Sequence, residues 1–286
     1  MASRREIKRR IGSIRNTAQI TKAMQMVSAS KMRRAQQRVS SSRPYSENVM
    51  EIMADVSARP GATEHPLLTQ REIQNAEVVL ITPDRGLAGA LVTAVNREFH
   101  HLAQSLGKPV RVVGAGRKGR DFALRTRHQV VADYSGLGDQ VGIADIGPIA
   151  NQVIEDYESG AADVVYLVYT EFISTLRQKP RSVQMLPVEP PTDVSITAPW
   201  NYEPDNPGLV LSELIPRYIE FTIYHAMLES LASEHSARMI AMSNATDNAL
   251  ELIDDLTLAM NKARQAEITK EIAEISGAAE AIRSGA

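Results

Sequence analysis

Cysteine is absent from the 286-residue sequence, which excludes disulfides, thiolate metal sites and thiol nucleophiles. Long hydrophobic runs are absent too, since no segment approaches the roughly 20 consecutive apolar residues that a membrane-spanning helix needs. The N-terminus continues into charged residues rather than an apolar stretch, so we expect no signal peptide. With 43% apolar and 23% charged residues, we expect a soluble, cytoplasmic protein that has a buried core and more than one structural unit.

Helix-breaking residues are scarce at both ends of the chain. No proline occurs between Met1 and Arg43, and none follows Pro216. Glycine is almost as rare in these stretches. At a rise of about 1.5 Å per residue, the last 70 residues can form one helix on the order of 100 Å long. The sequence therefore predicts a long helix over 1–58 and another over 209–286.

Apolar and small residues at each end recur at alternating intervals of four and three, the spacing of a left-handed coiled coil. The series in the first helix is Ile7, Ile11, Ile14, Ala18, Thr21, Gln25, Ser28, Met32, Ala35 and Val39. The series in the last helix is His235, Met239, Met242, Thr246, Ala249, Ile253, Leu256, Met260 and Ala263. We predict that the two helices pair with each other in antiparallel fashion. Two amphipathic helices packed on a globular core are the alternative. His235 is expected to be a packed or hydrogen-bonded seam residue rather than a metal ligand.

The apolar series slips by one residue after Ala263. It continues at Ile268, Ile272, Ile275, Ala279 and Ile282. If Ile7 lies beside Ala263, the chain beyond has no N-terminal partner and projects roughly 30 Å past it. An apolar helix left uncovered tends to aggregate, so the sequence predicts a partner that encloses this end.

Charge is distributed unevenly along the chain. Residues 1–43 contain 12 Lys or Arg and the single acid Glu6, whereas residues 203–286 contain 6 bases and 14 acids. Such an asymmetry indicates an internal pairing or an external partner.

The basic helix leaves most of its charge free. Lys8, Arg15 and Lys22 lie beside the seam, but the acids of the last helix occupy outward positions. Nucleic acid, a membrane surface and an acidic protein are the candidate partners. Residues 1–44 contain no aromatic side chain for stacking or interfacial anchoring, which favours an acidic protein. A solvated run of charges is the alternative without a partner.

Residues 74–190 alternate short β-branched runs with helical patterns, which is typical of a parallel α/β sheet. The predicted strands are Ala76–Thr82, Val110–Val113, Gln129–Ala132 and Val164–Tyr169, with Ser182–Leu186 as an edge strand. The predicted helices lie near Leu87–Ala103, Lys118–Arg127 and Ala144–Glu158. Phe172–Leu176 is compatible with strand or helix. The proline-rich segment 191–208, which contains Trp200, is the expected return linker.

Gly114-Ala-Gly116-Arg-Lys-Gly119 has the G-x-G-x-x-G pattern of a dinucleotide-binding turn. It follows a predicted strand, opens a predicted helix, and precedes Asp133 at the end of the next strand, as such a site requires. However, it falls on the second strand of the unit, and its helix is short. We favour a structural strand-to-helix turn, with a dinucleotide-binding oxidoreductase built on Gly114–Gly119 as the alternative. No phosphate-binding P-loop, nucleophile elbow or H-E-x-x-H motif is present.

Three stretches carry a resemblance to a known family. They are "REIKRRIGSIRNTAQITKAMQMVSASKMRRAQ", "TPDRGLAGAL" and "EHSARMIAMSNATDNALELIDDLTLAMNKARQAEITKEIAEISGAAEA". Over essentially its whole length the chain resembles the gamma subunits of F-type ATP synthases. The resemblance implies an α/β protein with long helices, in which an antiparallel coiled coil of the N- and C-terminal helices accompanies a central Rossmann-like α/β domain. It also implies a rotating, non-catalytic shaft without a cofactor, and a middle domain that resembles a nucleotide-binding fold but binds no nucleotide.

The resemblance also implies roles for individual residues. Loops of the beta subunits would be bound by Arg264, Gln265, Thr269, Met24, Lys22, Lys31, Arg33 and Arg34. The tip that turns inside a hydrophobic bearing of alpha and beta subunits would consist of Ile268, Ile272, Ile275, Ala279 and Ile282. A loop of the foot domain near the shaft would comprise Asp84, Arg85, Gly86 and Leu87.

The remaining implied partners are the epsilon subunit and the ring of c subunits, with no nucleic acid and no direct membrane insertion. The expected location is the cytoplasmic face of a bacterial cell membrane. Some residues depart from the family pattern. Ala88 and Ala90 stand where the family usually has cysteine and a second glycine, and Gly277 comes one residue early.

Overall fold

The computed structural model describes residues 4–57, 65–189 and 207–285. These residues fall into two compact units. One combines the positions up to Val27 with those from Met239 onward, and the other runs from Ser28 to Arg238. The expected linker 191–208, with Trp200, lies outside the described residues except for its last two positions.

Two long helices form the ends of the chain. Helix α1 covers Arg4–Ser57 with 54 residues, and helix α5 covers Pro207–Ser284 with 78 residues. Each contains an internal proline, Pro44 and Pro216, and continues beyond it. The prediction of long terminal helices is confirmed. None of the helices within the described ranges is long and apolar enough to cross a membrane.

The first unit is an antiparallel pair formed by α1 and α5. The hydroxyls of Thr21 and Thr246 lie 2.7 Å apart, and Gln25 Nε2 donates to Ser243 Oγ at 3.2 Å. Every predicted seam position in this unit is buried or half-buried, while most of the residues between these positions are exposed. Antiparallel continuation of the Thr21–Thr246 pair places Ile7 beside Met260, one seam position earlier than the expected Ala263.

Polar residues are part of this seam. Thr21 and Thr246 are 8% and 7% exposed, respectively. Each hydroxyl also lies within hydrogen-bond distance of a carbonyl of its own helix, Ala18 O at 3.1 Å and Met242 O at 2.8 Å. Because these groups satisfy one another away from water, they specify the register of the two helices without a large loss of stability.

The threonine pair can be tested with Thr21→Val and Thr246→Val. Each single substitution removes one partner of a buried hydrogen bond, so we expect each to lower the free energy of unfolding by about 1 kcal/mol. The double substitution leaves two apolar groups of matching shape, and its stability should lie within about 0.5 kcal/mol of the original chain. Urea unfolding followed by circular dichroism measures this. A double variant that loses the sum of both single effects would contradict the pairing.

The second unit contains a five-stranded sheet. Its strands are β1 (Ala76–Ile81), β2 (Val110–Ala115), β3 (Gln129–Asp133), β4 (Val164–Phe172) and β5 (Gln178–Leu186). The strand order is β3-β2-β1-β4-β5, with the first four strands parallel and β5 antiparallel at the edge. Connecting helices are α2 (Leu91–Leu106), α3 (Arg117–Arg125) and α4 (Gly147–Glu158). This mixed sheet confirms the predicted Rossmann-like domain.

Apolar side chains cover both faces of the sheet. On one face, Val79 and Ile81 of β1 join a core with α4, the end of α1 and the first part of α5. On the other face, Val78 and Leu80 join a core with α2 and α3, centred on Phe99. The alternation along β1 follows from the two-residue period of a strand. A sheet buried on both faces accounts for the continuous apolar runs in the sequence.

Some boundaries differ from the sequence-based prediction. Helix α2 begins at Leu91 rather than near Leu87, because Leu87 and Gly89 have φ angles of 64° and 58° and cannot continue a right-handed helix. Of the segment 172–176, which the sequence left undecided, Phe172 ends β4 and the following residues form the turn into β5. The edge strand also begins four residues earlier than predicted, at Gln178.

Gly116 lies where the end of β1 approaches the start of α3. Its φ is 122°, and a Cβ atom built there would lie 1.8 Å from the carbonyl oxygen of Thr82. No residue with a side chain fits without movement of the backbone. Gly136 also has a positive φ, 86°, but a Cβ there would meet no atom within 4 Å. A side chain at Gly116 would therefore cause both a steric clash and backbone strain, whereas one at Gly136 would cause backbone strain alone.

Comparing Gly116→Ala with Gly136→Ala distinguishes the cost of the steric clash from the cost of backbone strain. Backbone strain alone should cost Gly136→Ala about 1 kcal/mol of unfolding free energy. Strain together with the collision at Thr82 should cost Gly116→Ala more than about 3 kcal/mol. Chemical denaturation of both variants is the measurement, and equal losses would show that the close approach is absent.

Candidate functional site

The C-terminal end of α5 is an uncovered surface, which we call the tip and define as residues 264–285. Every residue from 264 to 280 is exposed. Ile268, Ile272 and Ile275 are 48%, 58% and 70% exposed, and Ala279 is exposed as well. The side chain of Ile282 lies outside the described set. The tip therefore presents large apolar side chains at helical spacing to its surroundings, and exposed apolar surfaces of this kind commonly take part in protein–protein contacts.

The three polar residues expected to bind a partner also lie on the tip. Arg264, Gln265 and Thr269 are all exposed. The Thr269 hydroxyl donates to the carbonyl oxygen of Gln265 at 2.9 Å, an ordinary bond within the helix. The Arg264 side chain has no partner among the described residues and is free to bind an acidic group or a carbonyl.

The expected partner-binding residues of α1 differ in their surroundings. Lys22 is exposed and Met24 is half-buried, both in the coiled-coil unit. Arg33 and Arg34, in the other unit, are exposed. Lys31 is engaged within the chain, because its Nζ lies 2.5 Å from Oδ2 of Asp139. Arg33 and Arg34 thus offer an external partner more unpaired charge than Lys31 does.

The loop after β1 contains the expected foot-domain residues. Asp84 has a structural role: its Oδ1 accepts the amide of Arg117 at 2.9 Å, and its Oδ2 accepts the amide of Gly136 at 3.0 Å. Arg85, Gly86 and Leu87 are exposed, and Leu87 is held at a positive φ that a bulky residue rarely adopts. The loop therefore presents a fixed and strained surface rather than a binding pocket.

The glycine-rich turn at Gly114–Gly119 differs from a dinucleotide site in its backbone amides. Such a site needs free amides at the start of the helix, where phosphates bind. Here the first three amides of α3 are occupied by the chain itself. Arg117 N donates to Asp84, Lys118 N to the Pro83 carbonyl at 3.2 Å, and Gly119 N to Thr82 Oγ1 at 2.7 Å.

The acidic residue of the motif is occupied too. Asp133, which would bind the ribose under the dinucleotide alternative, accepts Nη1 of Arg120 at 2.7 Å and the hydroxyl of Ser135 at 2.7 Å. Together with the close contact of Gly116 and Thr82, these bonds make the pattern a structural turn. The geometry thus argues against the dinucleotide alternative and supports the favoured interpretation.

Metal and acid–base chemistry find little support in the described ranges. They contain no group of three or more His, Asp or Glu residues placed to hold a metal ion. Glu77, on β1, is fully buried and contacts Arg111 at 3.2 Å. Burial, and then the nearby Asp156 carboxylate, raise the pKa of Glu77 to about 8. An acid buried within its own sheet has no access to a substrate.

A cavity of about 310 Å³ lies beside the middle of α1 and is bordered by Lys31, Arg34, Arg38, Asp139 and His235. Asp139 belongs to the loop after β3. Its Oδ1 is 3.1 Å from Nε2 of His235, a residue that is only 4% exposed. Burial lowers the pKa of His235 to about 4 despite the neighbouring Asp139 carboxylate. His235 is therefore neutral at pH 7 and donates its Nε2 proton to Asp139.

Asp139 is a residue that inspection of the sequence missed. The glycines at 136 and 138 mark a turn, but a turn pattern does not show which distant side chains its acid will meet. Arg238 was missed for the same reason. Its Nη2 donates to the carbonyl oxygen of Gly86 at 3.1 Å and to Glu234 at 2.6 Å.

Comparison with solved structures shows the fold class. The chain is similar to a chain of the Euglena gracilis mitochondrial ATP synthase, with a TM-score of 0.70, 18% identity, and coverage of 99% of this chain and 95% of that one. A chain from the central stalk and c-ring structure of the Tetrahymena thermophila mitochondrial ATP synthase gives a TM-score of 0.62 and 24% identity, over 79% of this chain and 99% of that one. Both likenesses show the fold, in which long terminal helices accompany a central mixed sheet.

Sequence comparison identifies the family. The ATP synthase family model matches residues 3–282. The ATP synthase gamma chain of Chloroflexus aurantiacus is 49% identical over 292 residues, covering 99% of this chain and all of the relative. That of Dehalococcoides mccartyi is 47% identical over 287 residues with the same coverage. The chain belongs to the ATP synthase gamma-chain family.

The buried histidine predicts a pH dependence of stability. The groups that face His235 are Asp139, Lys31 and Arg238. The unfolded state binds a proton on this histidine below about pH 6.5, whereas the folded state resists protonation down to about pH 4. Stability is therefore present above pH 6.5 and is lost progressively as the pH falls to 4, by up to about 3 kcal/mol.

Urea unfolding at pH 7 and at pH 4.5, with the original chain and His235→Gln, measures this loss. The stability difference between the two proteins should shrink by about 2 to 3 kcal/mol in acid, since glutamine does not titrate. A difference for His235→Gln that does not change with pH would contradict the assignment.

Proposed function

We propose that this chain is the rotating central shaft of an ion-driven ATP synthase and has no catalytic role of its own. In this proposal, ion flow turns a membrane ring, the central α/β domain follows the ring, and α1 and α5 turn inside the catalytic head. The supporting observation is the tip. A helix that continues past its antiparallel partner with exposed isoleucines requires an enclosing partner, and an apolar bearing is the surface that fits it.

The mechanism follows from asymmetry. A shaft drives three catalytic sites through different affinities only if it contacts them differently, because a ligand that contacts all states equally shifts none of them. The two flanks of the coiled coil differ in charge: Lys8, Arg15 and Lys22 flank α1 and are exposed, as are Asp247 and Glu251 on α5. Each rotational position thus presents different chemistry to a given catalytic subunit.

Specific contacts complete the proposal. Arg264, Gln265 and Thr269 bind loops of the beta subunits, and the isoleucines of the tip turn within the bearing formed by alpha and beta. Lys22, Met24, Arg33 and Arg34 face an acidic loop of the beta subunits, with Lys31 contributing from within its ion pair. The basic side chains of α1 and the acidic loop of the beta subunits would attract each other at long range. This attraction would not require a single fixed geometry.

The remaining partners are the epsilon subunit and the c-subunit ring, which contact the foot of the shaft. The complex would lie at the cytoplasmic face of a bacterial membrane, with the shaft peripheral to the bilayer. Protons or sodium ions would be the coupling ion.

Co-expression with alpha and beta subunits tests the proposal. We expect a particle with three alpha, three beta and one copy of this chain, and ATP hydrolysis that depends on it. Ile268, Ile272 and Ile275 should be changed together to Ser. Each buried isoleucine contributes about 1.5 to 3 kcal/mol, so the triple variant should weaken assembly or slow turnover by at least about tenfold.

Leu124→Ser with Ile143→Ser is the matched control. These side chains are 57% and 45% exposed and lie in the central domain, so the same chemical change there should leave assembly with alpha and beta intact. A tip variant that assembles with alpha and beta and hydrolyses ATP as fast as this control would contradict the proposed contact between the tip and the bearing. Failure of the original chain to associate with alpha and beta at all would contradict the proposed function itself.

A further inference from the structure

We propose that Asp139 is a positioning residue that fastens the loop after β3 to both α1 and α5, so that torque on the central domain reaches both shaft helices. The inference rests on the proposed rotary function and adds to it a specific point of attachment.

The geometry centres on one carboxylate. Asp139 Oδ2 lies 2.5 Å from Lys31 Nζ on α1, and Oδ1 lies 3.1 Å from His235 Nε2 on α5. The backbone carbonyl of the same residue accepts Nη1 of Arg38, another α1 residue, at 3.4 Å. A single loop residue therefore bonds to two helices that are far apart in sequence. We call this set of bonds the clasp.

A second set of bonds supports the clasp from the neighbouring loop. Arg238 lies one turn after His235 on α5 and donates to the Gly86 carbonyl in the loop after β1. The two loops are joined to each other, because Gly136 N donates to Asp84 Oδ2 at 3.0 Å. Both loops extend from the carboxyl ends of parallel strands, so they lie at the same edge of the sheet.

The electrostatics favour a charged Asp139. Burial opposes ionisation of its carboxyl group, but the hydrogen bond from Lys31 and the nearby positive charges outweigh burial and hold the pKa of Asp139 below its usual range. An ionised acceptor forms stronger hydrogen bonds than a neutral one. The neutral His235 then supplies a buried donor, so Asp139 binds α5 without burying a second charge.

Directional bonds matter here because apolar packing makes up a large part of the attachment. Helix α5 also bonds to β4 and the turn after it, since Ser230 and Ser233 bond to the Thr170 backbone and Ser236 Oγ donates to the Thr175 carbonyl. Leu211, Ile215, Ile219 and Ile223 of α5 pack on the sheet within the main core. Apolar burial holds a helix against a sheet, but it is non-directional. The clasp fixes particular atoms of α1 and α5 to a particular loop, and it therefore resists sliding of the helices under load.

The test uses membrane vesicles that contain the complete ATP synthase assembled with this chain or its variants. Asp139→Ala removes the carboxylate that Lys31 and His235 share, and it leaves the backbone carbonyl that accepts Arg38. We expect the number of ions pumped per ATP hydrolysed to fall by at least about threefold, and hydrogen exchange of the amides in 134–142 to accelerate roughly tenfold. His235→Gln combined with Asp139→Ala should reduce pumping no further than Asp139→Ala alone, since both act through one contact.

Asp121→Ala is the matched control, because this exposed carboxylate pairs only with its neighbour Arg120 among the described residues. It should leave ion pumping and amide exchange unchanged. Asp139→Glu should retain part of the pumping and part of the protection from exchange that Asp139→Ala loses. If Asp139→Ala pumps as many ions per ATP hydrolysed as the original chain does in the same kind of vesicles, the clasp is overturned and the rotary function stands. Vesicles in which the original chain itself supports no ATP-driven pumping would instead overturn the rotary function.

Discussion

The antiparallel seam between α1 and α5 is the constraint on which the rest of the molecule depends. It brings together two segments from opposite ends of the chain and defines their register through Thr21 and Thr246. In the part of the chain that the structure describes, continuation of this register places Ile7 beside Met260, and residues 264–280 of α5 lie beyond that point and are exposed. The exposed tip thus follows from the register of the seam, and its isoleucines form an apolar surface of the kind that partners cover.

The central domain shows how one architecture serves different purposes. Its strand order and glycine-rich turn match those of nucleotide-binding sheets, yet the amides that would bind phosphate donate to Thr82, Pro83 and Asp84. Similar folds often have unrelated functions because function resides in the site. Here the loops at the carboxyl edge bond to the chain's own helices. Belonging to the ATP synthase gamma-chain family agrees with this use of the sheet.

Much of the fold was predictable from the sequence because it depends on periodicity. The four-three spacing of Ile7, Ile11 and Met242 identifies the seam, and the apolar run at Val110 identifies a strand. The start of α2 was not predictable, since nothing in the sequence shows that Leu87 adopts a left-handed conformation. The clasp was equally hidden, because Asp139 meets Lys31 and His235 only through tertiary folding. The exposed tip could be located from its apolar spacing, whereas the proposed bearing surface would belong to other chains.

Direct observation of rotation tests the central claim most directly. The chain has no cysteine, so Leu124→Cys, at an exposed position of α3, gives a unique attachment point for a bead on the central domain. With the alpha and beta subunits immobilised and ATP supplied, the account predicts rotation of the bead in one direction, at a rate that follows ATP hydrolysis. Steady ATP hydrolysis by the same particles with a stationary or randomly fluctuating bead would contradict it.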